Sequence, residues 1–151
     1  MYHYSECGLS NVWLANGFEK IETPYGEAVR IDRVEDLHKA IARDLVRDRP
    51  HLTGAEFRFL RTQLDLSQKR LAEYFGYEPQ SVALLEKRGK IPRWADHFIR
   101  ALYREIAEGN AQIQQLIERH GDIDRGEIDK HERARQEYEE HEGAWHTRAA
   151  A

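Results

Sequence analysis

Residues 68–87 read QKRLAEYFGYEPQSVALLEK, and the order of residue types in this window decides how the chain is expected to fold. Ser67, just ahead of it, is a strong N-cap whose hydroxyl can satisfy an orphan amide of a helix starting at Gln68. Leu71 and Phe75 stand four apart and share a helical face, and the small Ala72 beside them lets a second helix come close. Gly76 ends that helix, because a left-handed residue at a helix C-terminus costs glycine little. Pro79 suits the first turn of a following helix, whereas inside one continuous helix it would be costly. In that second helix Val82 and Leu85 point inward, while Gln80, Ser81, Leu84 and Lys87 point out. The window therefore predicts two short helices joined by a tight turn.

Such a pair is either a hairpin in a globular core or a helix-turn-helix unit, in which the first helix holds the second in the DNA major groove. The joint pattern of constrained positions and the helices around it favour the second. Thr53 and Glu56 form a capping box, and Phe57, Leu60 and Leu64 make the apolar stripe of a preceding helix. After Pro92, Phe98, Ile99, Leu102 and Ile106 recur at helical spacing, with Trp94 and Phe98 expected in the core. Charge agrees. Residues 53–104 hold ten Lys or Arg against six Asp or Glu, a net of +4 inside a chain of net charge −4. A basic module in an acidic chain keeps local affinity for phosphate. Lys69, Arg70, Lys87, Arg88, Lys90 and Arg93 are the expected phosphate contacts. Gln80 carries base readout, because its amide matches the donor and acceptor of adenine N6 and N7.

The stretch LSQKRLAEYFGYEPQSVALLEKRGKIP resembles the Cro/repressor-type (XRE-like) helix-turn-helix family, over about residues 64–102. The resemblance implies that Gln68 contacts a phosphate at the start of the supporting helix. It also implies that Pro79, Gln80, Ser81 and Leu84 face the groove, and it matches Glu86 to the family's acidic residue near the end of the recognition helix. Leu84 departs from the pattern: many members carry Arg or a polar residue there. A leucine cannot hydrogen-bond a base edge but can touch a thymine methyl.

The first 50 residues read as a small β module. Val12-Trp13-Leu14 and Phe18 to Ile21 flank Asn16-Gly17, a strong hairpin signal, and Thr23-Pro24-Tyr25-Gly26 is a second turn before Ala28 to Ile31. Asp32 and Glu35 are expected to cap a helix with apolar Val34, Leu37, Ile41 and Leu45. This predicts a three-stranded meander plus one helix, joined through Arg49-Pro50-His51 to the helical domain. The order of modules is similar to the MqsA/YgiT-type antitoxins, whose N-terminal zinc module binds a toxin and whose C-terminal domain represses its own operon. Cys7-Gly8 followed by Val12-Trp13-Leu14 carries that likeness, but the family uses two CxxC pairs and this chain has one cysteine. Four thiolates cannot be assembled from Cys7, so no structural zinc of that kind is expected.

The expected fold is thus mainly α. A β-meander-plus-helix module spans residues 1–50, the helix-turn-helix domain residues 53–108, and a charged helical C-terminal tail residues 109–151. Residues 111–151 hold ten acidic and six basic residues and four histidines, with Ile113, Leu116 and Ile117 continuing a helix to about His120 and residues 127–142 helix-permissive. His131, His141 and His146 are expected to be solvated and not to hold a metal. No GxGxxG, P-loop, HExxH or GxSxG motif is present, and nothing orients Cys7 with His3 or His38 as a nucleophile. No catalytic residue and no cofactor are expected. No apolar run is long enough for a membrane span, and the N-terminus has no basic-then-apolar signal, so the expected place is the cytoplasm. Together these readings predict a dimeric repressor-type regulator that binds double-stranded DNA at an inverted repeat. The alternatives are an antitoxin, whose N-terminal module takes a toxin or ligand, and a protein-interaction adaptor that does not bind DNA.

Overall fold

The computed structural model of the chain describes residues 1–107, 109, 115 and 137–148. They form a mainly α fold with short antiparallel strand pairs. The order is β1 (Tyr2–His3), β2 (Trp13–Leu14), β3 (Phe18–Thr23), β4 (Gly26–Ile31), α1 (Val34–Arg47), α2 (Gly54–Gln63), α3 (Gln68–Phe75), α4 (Pro79–Glu86), α5 (Arg93–Ala107), β5 (Glu137–His141) and β6 (Ala144–Arg148). Residues 1–115 make one compact unit and 116–151 another.

The predicted three-stranded meander is not there. β1 pairs with β2 and β3 with β4, each as a separate two-stranded sheet. β2 is only two residues long and bonds to β1, so Asn16-Gly17 does not fold it back on β3. Instead Gly17, at φ +77°, turns the chain so that its carbonyl accepts the Asp32 N–H at 2.8 Å and extends the β3–β4 ladder. The true hairpin turn is Pro24-Tyr25. Thr23 Oγ1 donates to the Gly26 carbonyl at 2.7 Å and accepts the Tyr25 N–H at 3.2 Å, which fixes the reversal.

The first helix also starts differently. Asp32 does not cap α1. Arg33 occupies the cap position in the left-handed region, with no side-chain cap bond, and Glu35 and Asp36 fall in the first turn, where negative charge suits the helix dipole. The helix docks through its C-terminal half. Ala42, Leu45 and Val46 are buried and Leu37 and Ile41 half-buried, while Val34 stays exposed. Leu9 and Ala42 belong to the same core as the later helices, with Cys7 and Val12 packed against it.

Between Thr53 and Ala107 the expected elements appear. The Thr53–Glu56 capping box is complete, Ser67 Oγ accepts the Arg70 N–H at 3.0 Å, and Gly76 closes α3 at φ +70°. Phe57, Leu60, Leu71, Val82 and Ile99 are wholly buried.

Three charged residues lie among these apolar stripes, and each is buried against a partner. Glu56 receives the Thr53 N–H and the Arg49 guanidinium, both at 2.9 Å. Asp96 receives the Leu52 N–H at 2.7 Å and the Arg100 guanidinium at 2.6 Å, and Arg100 also donates to the Arg49 carbonyl at 2.8 Å. Arg61 pairs with Glu86. The segment from Arg49 to Leu52 is therefore fastened to α2 and α5 by charge-assisted bonds, which are the stronger class of hydrogen bond.

In the second unit, residues 137–142 are not helical as predicted. Glu137–His141 pairs with Ala144–Arg148 in a hairpin. Glu142 and Gly143 both have positive φ, 54° and 80°, as a two-residue primed turn requires, and aromatic and β-branched residues on β6 favour a strand. The predicted helix to His120 and most of the predicted tail lie outside the described residues.

Candidate nucleic-acid interface

α4 is held from one side only. Val82 and Leu85 are buried against α2 and α3, and the C-terminal end of the helix is pinned by close contact. Gly54 donates its N–H to the Arg88 carbonyl at 2.8 Å, and a Cβ added there would meet the Leu85 and Glu86 carbonyl oxygens at 2.5 Å. Glycine is needed at the start of α2 because two backbones approach too closely for a side chain.

Glu86 anchors the same end. One of its carboxylate oxygens pairs with Arg61, the other accepts from Gln68 Nε2 at 2.7 Å, and Arg61 donates further to the Leu66 carbonyl at 2.8 Å. The Arg61 and Glu86 side chains are 10% and 5% exposed. In such a site the carboxylate and guanidinium each need the other, because an unpaired buried charge is costly. The expected phosphate contact Gln68 is thus spent partly on structure, with one N–H of its amide left over. Its bond to Glu86 also sets the start of α3 beside the end of α4.

The opposite face of α4 is uncovered. Gln80 and Leu84 are exposed, Leu84 to 62%, with Pro79 and Ser81 partly so. Of the four residues expected to face a groove, Gln80 and Leu84 lie on the outward surface of this eight-residue helix, and Pro79 and Ser81 flank it half-exposed. Lys69, Lys87, Arg88, Lys90 and Arg93 are exposed, and among the described residues none has a carboxylate within 4 Å. Arg70 differs, since its guanidinium donates to Glu73 at 2.7 Å and lies over the Tyr74 ring. Five of the six expected phosphate-binding cations therefore pair with no carboxylate among the described residues, and the sixth is compensated.

Trp94 is not in the core as expected. It is 45% exposed and packs edge-on against Phe75 at 5.0 Å and Tyr77 at 5.7 Å. Tyr77, itself 51% exposed, immediately precedes the turn into α4, so this aromatic ledge borders the N-terminal end of the helix. Helical spacing could not show this, because the ring lies at the edge of the apolar stripe in the first turn of α5. Phe98 is half-buried, edge-on to Phe75 at 4.7 Å.

Residues that sequence reading passed over are Gly54, Arg61 and Asp96. The signal for the last two was present: a charge inside an apolar stripe (Phe57, Leu60, Arg61, Leu64) demands a buried partner. Elsewhere, among the described residues no group of three or more His, Cys, Asp or Glu side chains is placed to hold a metal ion. Cys7 is half-buried with its thiol donating to the Tyr4 carbonyl at 3.3 Å. Tyr4, whose hydroxyl meets His38 Nε2 at 2.8 Å, has its pKa raised, chiefly by burial. No helix among the described residues is long and apolar enough to cross a membrane. No protein-family model, curated protein or solved structure matches the chain.

Proposed function

We propose that this protein is a sequence-specific DNA-binding regulator of the repressor type, with α3 and α4 as a Cro/repressor-like (XRE-like) helix-turn-helix. One observation carries the reading. α4 is fixed by its inner side and by the Arg61–Glu86–Gln68 network, while its outer face is exposed and five exposed cations near it pair with no carboxylate among the described residues. A rigid helix with a readable face and flanking positive charge is what major-groove recognition needs. Gln80 reads a base, Leu84 contacts a thymine methyl, and Lys69, Lys87, Arg88, Lys90 and Arg93 hold phosphates.

One recognition helix covers few base pairs, so the functional form is a homodimer on an inverted repeat, acting as an autorepressor. The exposure of Leu84 favours a second reading, a protein-interaction adaptor in which this face meets an apolar partner. Salt separates the two. DNA binding through phosphates weakens with a log–log slope of about −0.9 per contact, and Lys87→Gln with Arg88→Gln should flatten it by about 2. The adaptor reading predicts no slope to flatten.

A further inference from the structure

A groove of about 590 Å³ opens where α1 meets the C-terminal ends of α2 and α5, sharing no residue with α3 or α4. Its floor is apolar, formed by Val46, Leu64, Tyr103 and Ile106. Its polar wall is of one sign. Lys39, Arg43, Arg47 and Arg104 line it, and among the described residues no carboxylate does. Arg47 pairs with Asp48 at 3.1 Å, but Lys39, Arg43 and Arg104 have no carboxylate within 4 Å among the described residues. Lys39 and Arg43 stand one helical turn apart on α1, and Arg104 faces them from α5. Three uncompensated cations around one apolar floor are unexpected on a chain of net charge −4. Like charges gathered in one concavity repel one another, and an anion there relieves the repulsion. The volume falls in the range of small-ligand sites, which are mostly apolar with a few placed polar groups.

We infer that this groove is a binding site for a small amphipathic anion, a carboxylate, phosphate or sulfonate on an apolar body. The acid group sits between Arg43, Arg104 and Lys39, and the apolar body lies on Val46, Leu64, Tyr103 and Ile106. The site stands independently of the DNA-binding reading, since no residue is common to both.

The test is a fluorescence titration of the full-length protein with anilinonaphthalene sulfonate, followed by competition with octyl phosphate and with octan-1-ol. The expected result is saturable binding, displaced by octyl phosphate and much less by the uncharged alcohol. Arg43→Gln with Arg104→Gln should weaken it by roughly tenfold or more, given the strength of charge-assisted bonds. Both arginines are exposed, so the variant should fold, as circular dichroism checks. Lys20→Gln with Arg30→Gln removes the same charge from β3–β4 and should leave binding unchanged. No saturable binding by the folded protein overturns the site. So does equal displacement by octan-1-ol, or the same loss in both double variants.

Discussion

The α2–α5 helices and the β3–β4 hairpin belong to the same unit but are ordered by different physics. The helices share a core in which Phe57, Leu60, Leu71, Val82 and Ile99 are wholly buried, and buried charges bind their ends together. No residue of β3 or β4 is fully buried. The hairpin rests on its ladder, its Thr23 turn and two exposed ion pairs, Arg30 with Glu19 and Lys20 with Glu27. Beyond these, the hairpin touches the N-terminal strand through the Phe18 ring, whose centroid lies 5.4 Å from that of Tyr2. The closest packing and the buried charge pair lie behind α4, the helix proposed to read DNA.

The contrast is broken most severely at the buried pair. Arg61→Ala or Glu86→Ala should cost about 3–5 kcal/mol, because each leaves an unpaired buried charge. Urea denaturation measures this, and a loss within that of a surface pair would show that the network does not fasten α4. Next comes Gly54→Ala, whose new Cβ meets backbone oxygens and not a side chain that can turn away. The overpacking should cost about 1–3 kcal/mol, read as a lowered melting temperature.

On the outer face stability should hardly change. Gln80→Ala should instead remove about 1–3 kcal/mol of discrimination at one base pair and keep non-specific binding, as competition between operator variants would show. Uniform loss on all sequences would mean that Gln80 does not read a base. On the hairpin side, Lys20→Gln with Arg30→Gln should change stability by no more than about 1 kcal/mol in the same urea experiment, since exposed ion pairs contribute little.

The smallest effect belongs to the N-terminal strand. Tyr2 donates to Glu6, and that hydrogen bond lowers the Glu6 pKa. A depressed carboxylate pKa stabilises the fold above the ordinary value and ceases to do so as pH falls through the folded value. Glu6→Gln should therefore lower stability slightly near neutrality and leave the acid limb slightly shallower, as urea denaturation at neutral and acid pH would show.

How far the sequence could be read follows the same division. Ser67, Gly76, Pro79 and the Thr53–Glu56 box act within a few residues, so α2, α3 and α4 were visible in the local pattern. The outward residues of α4 followed from which ones had to point in. The hairpins were misread because strand pairing is a choice among partners. Asn16-Gly17 suits a turn, yet the two-residue β2 bonds to β1, and the preference of that dipeptide does not decide the partner. Glu142-Gly143 was passed over because the charge around it suggested a solvated helix. Trp94 and the partners of Arg61 and Asp96 were beyond reach for another reason. Periodicity places a residue on a face, but not on its buried or its open edge, and it cannot name the group across the core.

The central claim is that the uncovered face of α4 reads DNA. The most direct measurement is selection of bound sequences from a random duplex pool by the full-length protein at physiological salt. Enrichment of an inverted repeat, its half-site centres about 34–36 Å apart along the helix, is the predicted result. A folded, dimeric protein that enriches no sequence would contradict it.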